Sequence, residues 1–277
     1  MGSVSVLLPY EAFTNALTVA EKAEPLSVAF SPDMTVGHAW EIITEEDEEG
    51  GPQQELFLVR EGIKALGYVD RFDDFESSTM GFHIRDTMHM IPPHQIVSDP
   101  MPLLDLLPLF EQEPFFFVLS RNTIAHFVGW RDLEKLPMRL CIFALCLELE
   151  SAMLTVLLRD GERIDDLLSL LPTGRREKAI ELANIKRGRT GDGPSSDFVL
   201  LCTTLIDKVT LIGRSPHKRD RLPFVGEKDR RAFFLRTERI RNQIAHSGPL
   251  FKAVKTTSDL SAWVKSARDV AAALTAD

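Results

Sequence analysis

Arginine, a side-chain amide and histidine fall together twice in this chain, as RNTIAH over Arg121–His126 and as RNQIAH over Arg241–His246. A guanidinium fork grips a phosphodiester through parallel N–H donors, an amide orients it, and an imidazole moves a proton near neutral pH. These groups suffice to cleave RNA, whose own 2′-hydroxyl supplies the nucleophile, without a metal ion. Whether either copy can act depends on the element that carries it.

The first copy lies inside an internal repeat. Residues 57–73 read FLVREGIKALGYVDRFD and residues 116–132 read FFVLSRNTIAHFVGWRD; a slide of 59 residues sets Tyr68-Val69 on Phe127-Val128 and Asp73 on Asp132. Each stretch is an apolar strand, a polar turn, a second apolar strand and an aspartate that opens a helix. Upstream, MTVGHAWEIITEE and PLLDLLPLFEQEP carry apolar residues three and four apart, which predicts an amphipathic helix in each copy. Ser120-Arg121-Asn122 falls against Arg60-Glu61-Gly62 and reads as a hairpin turn, with Ile124 to Trp130 as the following strand. Alternation along that strand puts Ile124 and His126 on one side and leaves Arg121 back across the turn, so this hexapeptide is assigned no chemistry.

The second copy ends a helix. From Glu227 the chain reads EKDRRAFFLRTERIRNQIAHSGPLF, in which Phe233, Thr237, Ile240 and Ile244 define a buried stripe and Arg236, Arg239, Asn242 and His246 take other faces. Gly248-Pro249 is the stop signal, which places His246 in the last turn. At about 100° per residue, Asn242 and His246 stand about 40° apart, whereas Arg241 is about 140° from His246. The arginine and histidine converge only if the long side chain curls around the helix or if two chains combine across a two-fold axis.

Charge separates two modules. Residues 1–136 hold 8 Lys and Arg against 23 Asp and Glu, a balance of −15, whereas residues 137–277 hold 24 against 18, a balance of +6. The basic groups of the second half gather at Arg175-Arg176-Lys178, at Lys186-Arg187-Arg189 and between Lys218 and Arg231, a pattern compatible with nucleic acid. That half reads as five helical runs, three of them opened by Ser or Thr as N-caps. The expected fold is α+β with tandem βαβ-type repeats (about 25–80 and 81–136 of a domain 1–136), followed by an all-α bundle over 137–277.

Other features bound the function. Cys141, Cys146 and Cys202 lack C-x-x-C spacing and read as buried free thiols. His89 and His94 have no metal-ligand spacing, and the glycines between Lys186 and Asp197 lack the G-K-[ST] ending of a phosphate loop, so that segment reads as an interhelical loop. The best apolar run, Leu140 to Leu147, stops at Glu148, which predicts no membrane span. The N-terminal MGSVSVLLPYEAF lacks the basic start and long apolar stretch of a signal peptide, so a cytoplasmic location is expected.

Two family resemblances rest on these motifs. The tandem repeats resemble a pair of CBS domains, the copy from about Ile91 to Pro137 more closely. The resemblance implies an adenine nucleotide whose ribose is bound at the Asp73 and Asp132 positions. Gly129 and Asp70 stand where the family has a hydroxyl residue, and Asp70, Asp73 and Asp74 together would repel a phosphate unless a metal ion intervened. The bundle, with R-N-x-x-x-H on its penultimate helix, resembles the HEPN (higher eukaryote and prokaryote nucleotide-binding) superfamily. That resemblance implies a metal-independent endoribonuclease, working as a homodimer on RNA and leaving 2′,3′-cyclic phosphate ends. Arg241 would bind the scissile phosphate, Asn242 position it and His246 act as general acid or base, with Arg236 and Arg239 guiding the RNA backbone. A nucleotide in the CBS-like pair would regulate the nuclease. The alternatives are a non-catalytic RNA- or nucleotide-binding dimerisation module, and a scaffold or antitoxin-like partner of another chain.

Overall fold

The structure is a computed structural model that describes residues 17–19, 24–26, 28–48, 54–159, 161–188 and 193–276. It divides into two units between Met138 and Arg139. The first is α+β and the second all-α.

The first unit opens with a short edge strand, β1 (Glu24–Pro25), and then repeats one β-α-β-β plan. In the first copy β2 (Ala29–Phe30) leads through α1 (Val36–Glu48) to β3 (Leu56–Glu61), its parallel neighbour, and β3 turns back antiparallel into β4 (Lys64–Asp70). A single-turn helix, α2 (Ile84–Thr87), leads on to the second copy. There β5 (Ile96–Ser98) lies parallel to β6 (Phe115–Ser120), which pairs antiparallel with β7 (Thr123–Gly129). The sheets run β2-β3-β4 and β1-β7-β6-β5.

The two hairpins share their irregularities. Both slip register at equivalent points, between Val59 and Arg60 and between Val118 and Leu119. Both turn through a left-handed residue, Gly62 at φ 58° and Arg121 at φ 55°. Because Glu61 pairs with Lys64 and Ser120 with Thr123, Gly62 stands opposite Arg121 in the repeat. This corrects by one residue the match of Ser120-Arg121-Asn122 to Arg60-Glu61-Gly62. Pairing across the strands fixes register, and turn composition alone does not.

The helices between the strands differ. The expected amphipathic helix forms in the first copy as α1, burying Val36, Ala39 and Ile43. In the second copy the expected helix is replaced by two 3₁₀ turns, Leu103–Leu106 and Leu109–Glu111. Pro108 at their junction has no N–H to donate and crowds the carbonyl four residues back, so the first turn cannot lengthen.

Alternation on β3 joins the copies. Phe57 and Val59 pack with Phe30, Val36, Ala39 and Ile43, while Leu56 packs with Phe117 and Phe127 of the second copy. Tyr68 completes this second cluster, its ring centroid 5.1 Å from that of Phe117 and 5.7 Å from that of Phe115. The first copy thus has a core of its own on one face of β3 and shares the cluster on the other face with the second copy.

The second unit contains α3 (Leu136–Leu158), α4 (Ile164–Ser169), α5 (Thr173–Arg187), α6 (Ser196–Leu201), α7 (Leu205–Arg214), α8 (Glu227–Ala245) and α9 (Thr257–Thr275). The single helix expected over residues 195–213 is broken in two. The Thr204 hydroxyl accepts the Asp207 N–H, and the Asp207 carboxylate accepts the Thr204 N–H. This reciprocal cap restarts the chain as α7. Residues 189–192 of the basic Lys186–Asp197 segment lie outside the described residues.

Helix α3 departs from the expectation of no membrane-length segment. Its 23 residues have a mean hydropathy of 2.0 over their most apolar stretch, enough by length and composition to cross a bilayer, and half of that stretch is buried. A bundle's central helix has the same property. Helices α8 and α9 are joined in the core by Trp263, whose Nε1–H donates to the Thr237 hydroxyl at 3.0 Å; that hydroxyl in turn donates to the Phe233 carbonyl at 3.0 Å. All three cysteines are buried free thiols.

Candidate functional site

Helix α8 stops in a paired-bond cap. The His246 N–H donates to the Asn242 carbonyl at 3.0 Å, the Ser247 N–H to Ile244 at 3.1 Å, and the Gly248 N–H to Gln243 at 2.7 Å. The last two bonds are the pattern that closes a helix through one left-handed residue. That residue is Ser247, at φ 55°, and not Gly248. Gly248 lies under the Gln243 side chain, whose end would have to move if a β-carbon were added there. This cap leaves Asn242 and His246 exposed at the end of α8.

Arg241 takes another direction. Its Nη2 lies 3.7 Å from Glu150 Oε2 on α3, with the arginine side chain 36% exposed and the glutamate 22%. Its Nε is buried without a hydrogen-bond partner. Glu150 also accepts from Lys208 Nζ at 3.0 Å, and that lysine, 2% exposed, donates to the Thr203 carbonyl at 2.6 Å. One turn before Glu150, burial pushes the Cys146 thiol up to about 12, with Arg241 pulling against this and Glu150 adding to it.

A second cation reaches the same helix end. Arg139 Nη2 donates to the carbonyls of Gln243 and Ile244 at 3.4 and 3.5 Å. It covers carbonyls that have no partner within α8 and sits at the negative end of the helix dipole. Sequence reasoning passed over Arg139 and Glu150, which lie about a hundred residues from the hexapeptide. The available signal was charge inside an otherwise apolar run, since α3 carries few charged residues along its 23 positions.

The remaining arginines divide. Arg236 is held by the start of α9, donating to the Asp259 carbonyl at 3.0 Å with Asp259 Oδ1 at 3.3 Å. Arg239 is exposed. In the first hexapeptide Arg121 is an exposed turn residue, and His126 is half-buried on β7 opposite Val118 with its Nδ1 unpartnered.

The first unit holds a cavity of about 260 Å³, bounded by Glu55, Asp70, Phe115, Phe127, Arg131 and Asp132 among others. Asp132 is buried; its Oδ2 accepts the Gly129 N–H at 2.7 Å and its Oδ1 pairs with Lys135 at 2.5 Å. Asp73, the residue matched to it in the repeat, is exposed and does not line the cavity. The equivalent cap is made by Asp74, whose Oδ2 accepts the Asp70 N–H at 2.6 Å. Arg131 pairs with Glu55 and Lys135 with Asp132, so the negative balance of the cavity rests on Asp70. His89 pairs with Asp74 at 2.9 Å and His94 with Glu113 at 3.0 Å. Among the described residues no three His, Cys, Asp or Glu side chains gather as a metal site.

The class that this fold defines is a tandem pair of β-α-β-β units followed by an all-α bundle. No family model matches the chain, and no curated protein matches it. In structure the chain is similar to a hemolysin-like protein containing a CBS domain from Oenococcus oeni PSU, with 18% identity, 45% of this chain and 92% of the other covered, and a TM-score of 0.34. It is also similar to the CBS domains of a transcriptional regulator from Streptococcus pneumoniae, with 17% identity, 43% and 98% covered, and a TM-score of 0.35. A third similar structure is CBSX2 in complex with AMP, with 18% identity, 42% and 92% covered, and a TM-score of 0.33.

Proposed function

We propose that the helical unit is a cytoplasmic, metal-independent endoribonuclease of HEPN type, governed by the CBS-like pair before it. The observation that supports the nuclease is the exposed end of α8, where Asn242 and His246 stand about one turn apart. Asn242 and Arg241 would hold the nonbridging oxygens of the phosphodiester. Imidazole would take the proton of the 2′-hydroxyl as the 2′-oxygen bonds to phosphorus. As the bond from phosphorus to the 5′-oxygen breaks, imidazolium would return a proton to that oxygen. The products are a 2′,3′-cyclic phosphate and a free 5′-hydroxyl.

Because Arg241 faces Glu150 on α3, a second chain is the natural source of the matching guanidinium. Helix α3 offers a surface for it: Leu136, Leu140, Leu147 and Leu158 are exposed and lie within about 40° of one another around the helix, a stripe about 33 Å long. Arg239 would steer the RNA backbone, and Arg236 would do so only by exchanging Asp259 for a phosphate.

In the CBS-like pair, the carboxylates of the 260 Å³ cavity suit the hydroxyl donors of a ribose and the N–H groups of an adenine. The nucleotide would therefore enter with its sugar and base inward and its phosphate toward solvent. A bound nucleotide would regulate the nuclease only to the extent that it binds active and inactive arrangements differently.

The test is cleavage of single-stranded RNA in EDTA. Cleavage should fall about a hundredfold or more in Arg241→Ala and in His246→Ala. Arg121→Ala and His126→Ala should retain it. RNA binding without cleavage would replace the nuclease with the non-catalytic binding module, a reading favoured by the Glu150 contact that occupies Arg241.

A further inference from the structure

At the opposite end of α8 a second cavity, of about 300 Å³, opens between α7 and α8. Arg230 and Arg231 of α8 and Arg214 of α7 line it, with Glu227 as the acidic member. The apolar part of its lining is made by Ile206 and Leu235, half-buried, over the buried Val209 and Phe234. Arg230 stands about 16 Å along the helix from Arg241, so this is a separate place from the hexapeptide.

Two of the three guanidiniums, those of Arg214 and Arg230, are set in position, and none of the three has an ion-pair partner among the described residues. Arg230 and Arg231 have no ion-pair partner among the described residues, although Glu227 is three and four positions away on the same helix. Arg214 is anchored from behind, donating through Nη1 to the Leu170 carbonyl at 2.7 Å. Arg230 is laid flat against bare backbone: a β-carbon at Gly213 would sit 2.8 Å from its Cζ and 2.9 Å from both Nη1 and Nη2. Nearly equal distances to the three atoms mean that the plane of the guanidinium faces Gly213 and its N–H edge is left for a ligand. Arg214 and Arg231 are exposed and Arg230 is half-buried, so solvent screens part of the repulsion among the three like charges, and an entering anion relieves the rest. The volume lies at the lower end of small-ligand pockets, and an apolar wall beside a few convergent donors is how such pockets are built.

We propose that this cavity binds a phosphate monoester whose body is apolar or aromatic, the phosphate on Arg214, Arg230 and Arg231 and the body against Ile206 and Leu235. The phosphate can belong to a free small molecule or to the 5′ end of an oligonucleotide; both present the same dianion on an aromatic-bearing body.

The experiment is calorimetric titration of the full chain with phenyl phosphate, with inorganic phosphate and with a 5′-phosphorylated trinucleotide. Phenyl phosphate should bind more tightly than inorganic phosphate, and Arg230→Gln should weaken it about tenfold. Gly213→Ala should weaken it as well by displacing the guanidinium. That variant keeps every charge and adds a better helix former, so its melting temperature should not fall. His246→Ala should bind phenyl phosphate as the parent does, which separates this site from the nuclease reading. Tighter binding of the trinucleotide than of phenyl phosphate would assign the site to RNA ends, and weaker binding to free small molecules. Absence of phenyl phosphate binding, or binding undiminished in Arg230→Gln, would overturn the proposal.

Discussion

Arg241 Nη2 stands 3.7 Å from Glu150 Oε2, and the same carboxylate receives the buried Lys208 ammonium at 3.0 Å. One glutamate on α3 thus holds both a core lysine and the arginine of the hexapeptide. Fold stability and the position of Arg241 are linked through it.

The link predicts an asymmetry between single and double substitutions. Glu150→Leu leaves Lys208 buried with only the Thr203 carbonyl and should destabilise the unit by about 3 kcal/mol, as breaking a buried pair does. Glu150→Leu combined with Lys208→Met should recover most of that loss, read as the urea midpoint. A double variant as unstable as the single one would mean that the pair is not what Glu150 contributes.

The end of α8 predicts a stabilising change. Ser247 adopts a left-handed φ of 55°, which glycine reaches without strain. Ser247→Gly should raise stability by about 0.5 to 1 kcal/mol, whereas Gly248→Ala, where only the end of the Gln243 side chain must move, should change it by less. Thermal melting of both variants checks the difference.

The start of α9 predicts a pH dependence. Burial tends to raise the Asp259 carboxyl. It is nonetheless held below the ordinary carboxylate value by Arg236, by the Lys255 N–H and by Thr256. A depressed carboxylate contributes stability above its unfolded value, and this is lost as pH falls through the folded value. Asp259→Asn should therefore lower the melting temperature at pH 7 and make little difference near pH 2. An equal shift at both would remove the carboxylate from the account. The same variant removes the carboxylate paired with Arg236 and leaves only the Asp259 carbonyl to hold it, so an accompanying gain in RNA affinity would support its guiding role.

The leucine stripe predicts an oligomeric state. Leu140 and Leu147 are 40% and 46% exposed on one line of α3. If two chains meet there, Leu140→Lys with Leu147→Lys should convert a dimer to a monomer in sedimentation velocity without unfolding the helix. A dimer that persists would place the contact elsewhere, and RNA cleavage by the monomer would mean that the site is complete in one chain.

Much of this architecture is written locally. The β-α-β-β repeat follows from apolar alternation around two polar turns, and the helical second half follows from apolar residues three and four apart. The separation of the two hexapeptides is local as well, because one follows strand periodicity and the other helical periodicity. Where local signals competed, sequence reasoning went astray. Pro108 outweighed the leucine pattern before β6, and the Thr204–Asp207 cap outweighed the apolar run that joins α6 to α7.

What the sequence determined by itself is which groups exist and which element carries each: Asn242 and His246 near the end of one helix, Arg121 in a turn, and two modules of opposite charge. Only the tertiary structure decided what those groups meet. Arg241 on Glu150 and Arg139 on the carbonyls of α8 join elements about a hundred residues apart, and Arg236 on Asp259 and Arg230 on Gly213 join successive helices. Helical phase sets the direction in which a side chain leaves its own axis. It carries no information about which neighbouring helix lies in that direction, because the packing of whole apolar faces settles that.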